Sequence, residues 1–322
     1  MTNEFRIHIK PTDWLMDHDE IADGSEPRAR SRLYIMPFGP YELNEVGEAN
    51  YFKGNTVPYH EHMHGFETFL LDGGAMEIMC RSRKAVAHKG DLVHLMPYQP
   101  HAMHALEDNT IWRSFHQGHS LIPNQRAQRR FRDMYPDIFN APDFDAEDVL
   151  RNSKSIRYQY RLPECKEVPV REFPEIRTPE FAYAEFDFDQ LNLKLKVGRW
   201  ETGGAKEVWQ LTMKKGCRFS WIPINKFDLL YNIYKGSVEV NLDGMAPIIA
   251  NTRDLLDIPN FFAGSLTALE DTVLLDMGCQ GYLMRYLDEV TALRIREPEK
   301  LKDAVFLRQL MKRYDFYTQF TF

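Results

Sequence analysis

The 322-residue sequence is short of cysteine. Cys80, Cys165, Cys217 and Cys279 are scattered, with no CxxC and no dense framework. That excludes a disulfide-stapled scaffold and fits free thiols in a reducing cytoplasm. No apolar run approaches the ~18–20 residues of a membrane span. The opening MTNEFR is charged and lacks the apolar core of a secretory signal. Nor is there a basic block. The chain has 40 Lys and Arg against 47 Asp and Glu, a formal net charge of −7. It therefore carries no electrostatic footprint for nucleic acid or an anionic membrane. A cytoplasmic protein without membrane or nucleic-acid partners is expected. Hydrophobic residues make up 43% and charged residues 27%. Those proportions allow a real core and exclude a disordered chain, and the length suits about two domains.

Histidine is concentrated. Nine of the 11 lie between positions 60 and 119, where even scatter would place about two. A crowded window of this kind points to a metal site or an acid–base centre.

The chain also repeats itself. Gly54 and Gly216 are 162 residues apart, as are Gly74-Ala-Met-Glu-Ile and Gly236-Ser-Val-Glu-Val. At an offset of 163, Ala87–Leu92 matches Ala250–Leu255, Ala105–Asp108 matches Ala268–Asp271, and Gln117-Gly118 matches Gln280-Gly281. Ordered matches at offsets of 162 and 163 predict two copies of one unit. Each copy reads as short strands bounded by Gly, Pro and Asp, for example Glu67–Leu71, Ala75–Cys80, Asp91–Met96 and Thr110–Phe115. Helices are predicted over 125–135 and 145–154 after the first copy, and over 282–295 and 299–314 after the second. Segments 1–32 and 155–180 are Pro-rich and charged, and read as arms or linkers.

Between Gly54 and Gly74 the residues follow G-x5-H-x-H-x4-E-x6-G, through His60, His62 and Glu67. Gly90-Asp91 then leads through Pro97 to His101. Together these resemble the two motifs of the cupin superfamily, and two such units in tandem look like a bicupin. The resemblance covers roughly 45–118 and 207–281. It implies a mainly β fold of two tandem jelly-roll barrels, each followed by short helices. The expected division is an arm at 1–45, a metal-binding barrel with helices at 46–160, linker and arm strands at 161–200, and a degenerate barrel with C-terminal helices at 201–322.

Strand geometry agrees with a site. Residues i and i+2 share a face, so His60 and His62 can both point inward, with Glu67 and His101 arriving from other strands. Three imidazoles and one carboxylate suit Fe(II), Mn(II), Ni(II), Zn(II) or Co(II). One divalent ion per chain is expected, with Fe(II) favoured. Two alternatives stay open. A His62/His64 pair is conceivable, although the glycine spacing selects His60/His62. His104 competes with His101, because the loop after Pro97 is one residue shorter than the usual P-x4-H. In the second copy Ile222, Ile224, Leu229 and Gly264 stand at the four ligand places, so that unit is expected to be packed rather than metal-bound.

Tyr59, Phe69, Met76, Tyr98, Met103 and Trp112 are candidates for the lining. Arg113, His116 and His119 are candidates for orienting a carboxylate or enolate. His94 is read as facing inward, and His88 as a turn residue. The resemblance implies a small organic substrate that chelates the metal through adjacent oxygens. The leading expectation is a dioxygenase, with Glu67 able to accept a proton. A redox-neutral isomerase, lyase or C–C hydrolase is the alternative, with His64, His104 or Glu67 moving the proton. A non-catalytic ligand-binding domain is the third class. A homodimer paired through the arm strands is expected.

Overall fold

The structure is a computed structural model. It describes residues 8–10, 16–18, 29–35, 44–63, 65–117, 131, 133–143, 156–158, 162–222, 228–260 and 262–320. The chain divides into two compact units, Asp13–Glu180, and Phe181–Phe322 together with Met1–Thr12. The fold is mainly β, and each unit is a jelly-roll pair of facing sheets rather than a closed barrel.

In the first unit, among the described residues, one sheet has six strands, in the order Ile156–Tyr158, Thr56–His62, His101–Ala105, Ala75–Cys80, Arg83–His88 and Lys166–Glu167. The other has seven, in the order Ile176–Arg177, Leu92–Leu95, Phe66–Gly73, Thr110–Gln117, Asn44–Tyr51, Ala29–Ile35 and Met16–His18. Period-two burial explains the layering. Phe69, Leu71 and Trp112 from the seven-stranded sheet meet Met76, Ile78 and Met103 from the six-stranded sheet in one apolar cluster.

The second unit repeats this order. Its smaller sheet runs Thr318–Phe320, Arg218–Trp221, Gly264–Ala268, Ser237–Leu242 and Ile248–Asn251. Its larger sheet runs His8–Ile9, Leu255–Ile258, Leu229–Lys235, Thr272–Cys279, Glu207–Met213, Leu191–Val197 and Glu185–Phe188. The inner strands follow one another as in the first unit, while among the described residues the smaller sheet has no counterpart of Lys166–Glu167 and His8–Ile9 takes the edge that Ile176–Arg177 holds in the first. The turn chemistry repeats too. Gly74 and Gly236 hold φ of +69° and +88°, and an added Cβ would lie 2.5 Å from the hydroxyl of Thr110 or Thr272. Only glycine meets both demands.

The segments read as arms are strands of the chain's own sheets. His8–Ile9 pairs with Leu255–Leu256, Lys166–Glu167 runs parallel to Arg83–Lys84, and Ile176–Arg177 pairs with Leu92–Val93. Segment 161–200 contributes strands to the sheets of both units, and the division between the units falls after Glu180. Helices follow the second unit at Leu283–Arg296 and Ala304–Arg313, with a 3-10 turn at Pro298–Lys302. Asp303 caps the last helix through Val305 N–H at 2.8 Å. In the first unit, between Thr110–Gln117 and Ile156–Tyr158, the described helical residues are 131, 133, 134 and Pro136–Phe139. The predicted helix at 145–154 lies outside the described residues. Among the described residues, no helix is long and apolar enough to cross a membrane. All four cysteines are free thiols.

Candidate metal centre

Strand Thr56–His62 carries His60 and His62 two residues apart, on one face. Strand His101–Ala105 lies beside it, and His101 is the register partner of His60. Glu67 comes from the opposite sheet, on strand Phe66–Gly73, in register with Leu95 and His116. The four side chains meet between the sheets, each at most 4% exposed. One donor atom from each lies within 4.8 Å of all the others. A single ion at about 2.0–2.2 Å from nitrogen and oxygen donors fits such a group. Among the described residues it is the one cluster of this kind.

The donors are aimed. Glu67 Oε2 lies 2.9 Å from His62 Nε2 and 3.3 Å from His101 Nε2. The His101 ring stacks on His62 at 5.2 Å and meets the edge of His60 at 4.3 Å. His101 Nδ1 lies 2.8 Å from the Gln99 carbonyl. A carbonyl only accepts, so Nδ1 carries the proton and Nε2 keeps the lone pair. His101 Nε2 is buried and makes no hydrogen bond among the described residues, as befits a ligand atom. Three imidazoles and a carboxylate suit a divalent transition metal and leave one or two positions open on an octahedral ion.

Phe69, Met76, Met103 and Trp112 are buried in the adjoining apolar cluster, as the sequence suggests. Tyr98 is 58% exposed and stands outside it, and Tyr59 is half-buried. His104 does not join the cluster. It is an odd number of residues from His101, half-buried, and in register with Glu77 and Thr56. His94 also fails to turn inward. Its neighbours Val93 and Leu95 take the core face, and His94 Nδ1 instead pairs with Thr68 Oγ1 at 2.8 Å. Arg113, next to inward-facing Trp112, is wholly buried on the other face of its sheet. It holds Glu48 at 2.7 and 3.2 Å, with Asp72 at 3.7 Å, and cannot orient a ligand at the centre. His88 is exposed at its strand end. His64 and His119 lie outside the described residues, as does the side chain of His116.

In the second unit Ile222 and Leu229 pack against the core, and Ile224 lies outside the described residues. Gly264 pairs with Trp221, and a Cβ there would fall 2.8 Å from the indole and 2.6 Å from the Asn241 carbonyl. A ligand side chain at 264 is therefore sterically closed. Sequence reasoning missed what lies deeper. Asp276 is in register with Trp209 and Tyr231. Burial pushes its carboxyl up to about 7 and the Lys206 ammonium down to about 8. Burial also raises Glu207, which accepts from Trp209 Nε1 at 2.8 Å. These residues sit in no recognisable sequence pattern. The one signal is a Lys-Glu pair opening a strand whose other buried residues are apolar.

No family model and no curated protein matches the chain. Solved structures do. The formate complex of Lactobacillus farciminis oxalate decarboxylase is 14% identical, with 84% of this chain and 85% of that one covered and a TM-score of 0.52. A two-residue deletion variant of Bacillus subtilis oxalate decarboxylase is also 14% identical, over 84% and 76% of the two chains, with a TM-score of 0.52. At that identity the likeness is one of fold, a tandem jelly-roll architecture across both units.

Proposed function

We propose that the chain is a metal-dependent enzyme acting on a small organic substrate that chelates the metal through adjacent oxygens, and that its chemistry is of the dioxygenase type. One observation carries the reading. Four buried donors converge against an apolar wall in the first unit, while the matching places described in the second unit carry no donor. When bound, the ion supplies positive charge to the substrate oxygens and, as Fe(II), the electrons that activate dioxygen. His60, His62 and His101 hold it as neutral nitrogen donors. Glu67 balances part of its charge and accepts the proton of a substrate hydroxyl. The wall of Phe69, Met103 and Trp112 excludes water from reactive species. The same set also accommodates Mn(II), Ni(II), Zn(II) and Co(II), and Fe(II) is the metal that the dioxygenase reading requires.

A redox-neutral lyase is the second reading, favoured by the likeness to oxalate decarboxylases. It needs a proton carrier beside the metal. His104 is turned away, and Glu67 is the one described ionisable carboxylate in the cluster. Oxygen uptake with a β-diketone and a catechol, on Fe(II)-loaded protein, separates the two. Oxygen consumed in step with substrate supports the dioxygenase. Turnover at an unchanged rate under strict anaerobiosis sinks it and promotes the lyase. Tight binding without turnover leaves a ligand-binding domain.

A further inference from the structure

We infer that Gln99 and Glu175 are positioning residues for the metal ligand His101, linked as one buried strut; the inference rests on the metal reading above. His101 follows the short loop Met96–Pro100 and owes its ring orientation to the Gln99 carbonyl. That carbonyl is held in turn by the Gln99 side chain, which is tied on every side. Its Oε1 accepts from Met96 N–H at 2.9 Å and closes the loop on itself. Its Nε2 donates to Glu175 Oε1 at 2.6 Å and reaches Cys80 Sγ at 3.0 Å. Cys80 is itself the register partner of His101.

Glu175 comes from the far end of the unit. It is 5% exposed, and its backbone carbonyl accepts from His94 N–H at 2.9 Å. The Arg83 guanidinium stands 3.7 Å from Oε1, while Oε2 is buried with no hydrogen bond among the described residues. A buried carboxylate is costly, and an apolar side chain of similar volume would fill the space more cheaply. The return on that cost is direction, because it fixes Gln99 and hence the tautomer and aim of His101. The same loop reaches a second ligand. Tyr98 holds φ of +57°, a strained value for a tyrosine, while its N–H donates to the His62 carbonyl at 2.8 Å. The loop thus clamps two of the four ligands, and Glu175 anchors the clamp.

The test uses the full chain, stripped of metal and titrated with Co(II), whose visible absorption reports both affinity and coordination geometry. Wild type, Gln99→Leu, Glu175→Leu and Glu175→Gln are compared, and the melting of each metal-free protein is recorded. The Leu variants are expected to bind Co(II) about 10–100-fold more weakly, with an altered spectrum and a loss larger than any fall in the metal-free melting temperature accounts for. Glu175→Gln keeps an acceptor oxygen and is expected to stay within about threefold of wild type. Wild-type affinity and spectrum in both Leu variants overturn the inference. So does weakening that merely tracks lost stability of the metal-free protein. Should Glu175→Leu fail to fold, Gln99→Leu decides alone. A wild type that binds no Co(II) overturns the metal reading as well; a wild type that binds beside indifferent variants overturns the strut only.

Discussion

The two units share the order of their inner strands and differ in what fills the middle. In the first, histidines and a glutamate from facing sheets converge on one point. In the second, Trp221 lies against Gly264 where that point would be. Period-two burial builds the same sandwich in both, so a handful of inward positions decides between a site and a plug. The outer faces differ as well. Trp112 stands to Ala49 and Leu71 as Leu274 stands to Leu211 and Ile233. By that register, the buried Arg113 and Glu48 correspond to Leu275 and Gln210. The first unit carries an ion pair where the second carries an apolar and an amide side chain.

The largest effect expected is on metal content. Wild type should hold one divalent ion per chain. Glu67→Ala or His101→Ala should weaken binding on the order of a hundredfold or more, since the remaining donors were placed for a full shell. His104→Ala should keep the metal. Mass spectrometry of purified protein reads all three. Two ions per chain would break the contrast between the units, and loss in His104→Ala with retention in His101→Ala would reassign the ligand.

Next is the ion pair. Arg113→Leu leaves Glu48 buried without its cation and should cost about 3–5 kcal/mol in urea unfolding. Adding Glu48→Gln writes the second unit's pair into the first and should recover most of that loss, short of full recovery because Asp72 also faces the guanidinium. A double variant no more stable than the single would show that the two outer faces are not interchangeable. In the second unit, Gly264→Ala forces a Cβ against the Asn241 carbonyl and Trp221. It should destabilise by about 1–3 kcal/mol while leaving metal content unchanged. A neutral substitution there would mean that the plug yields easily.

How much of this the sequence shows depends on range. His60, His62 and Glu67 lie within eight residues, where strand parity and motif spacing act locally, and the structure brings them together. Parity also separates His104 from His101, although a register shift between His101 and Met103 weakens that rule at the point of use. The strut was not legible, because Gln99 and Glu175 are 76 residues apart and neither belongs to a motif. The Arg113–Glu48 pair spans 65 residues, with nothing in either strand to announce it. The partners of the arm strands are hidden for a related reason. Lys166–Glu167 and Ile176–Arg177 are two-residue strands, too short for alternation to register, and exist only because a sheet edge accepts them.

The smallest effect concerns the polar groups inside the second unit, and it tests whether the plug is inert. With its pKa pushed up to about 7, Asp276 stays neutral in the folded state where it is already ionised in the unfolded chain. Its contribution is full below about pH 4 and fades as the pH rises through 7. Lys206 acts in the opposite sense. Its folded value of about 8 lies below the ordinary 10.5, so stability regained on neutralising it grows between about pH 8 and 10.5 and is lost as the pH falls through 8. The two limbs place a minimum near pH 7–8. Glu207, also raised by burial, adds to the acid limb. Melting followed from pH 5 to 7 should fall by a few degrees in wild type and by less in Asp276→Asn, with the Glu207 share remaining. An identical slope in both proteins would show that Asp276 does not titrate in this range, and the second unit would then be the passive filler that its missing ligands suggest.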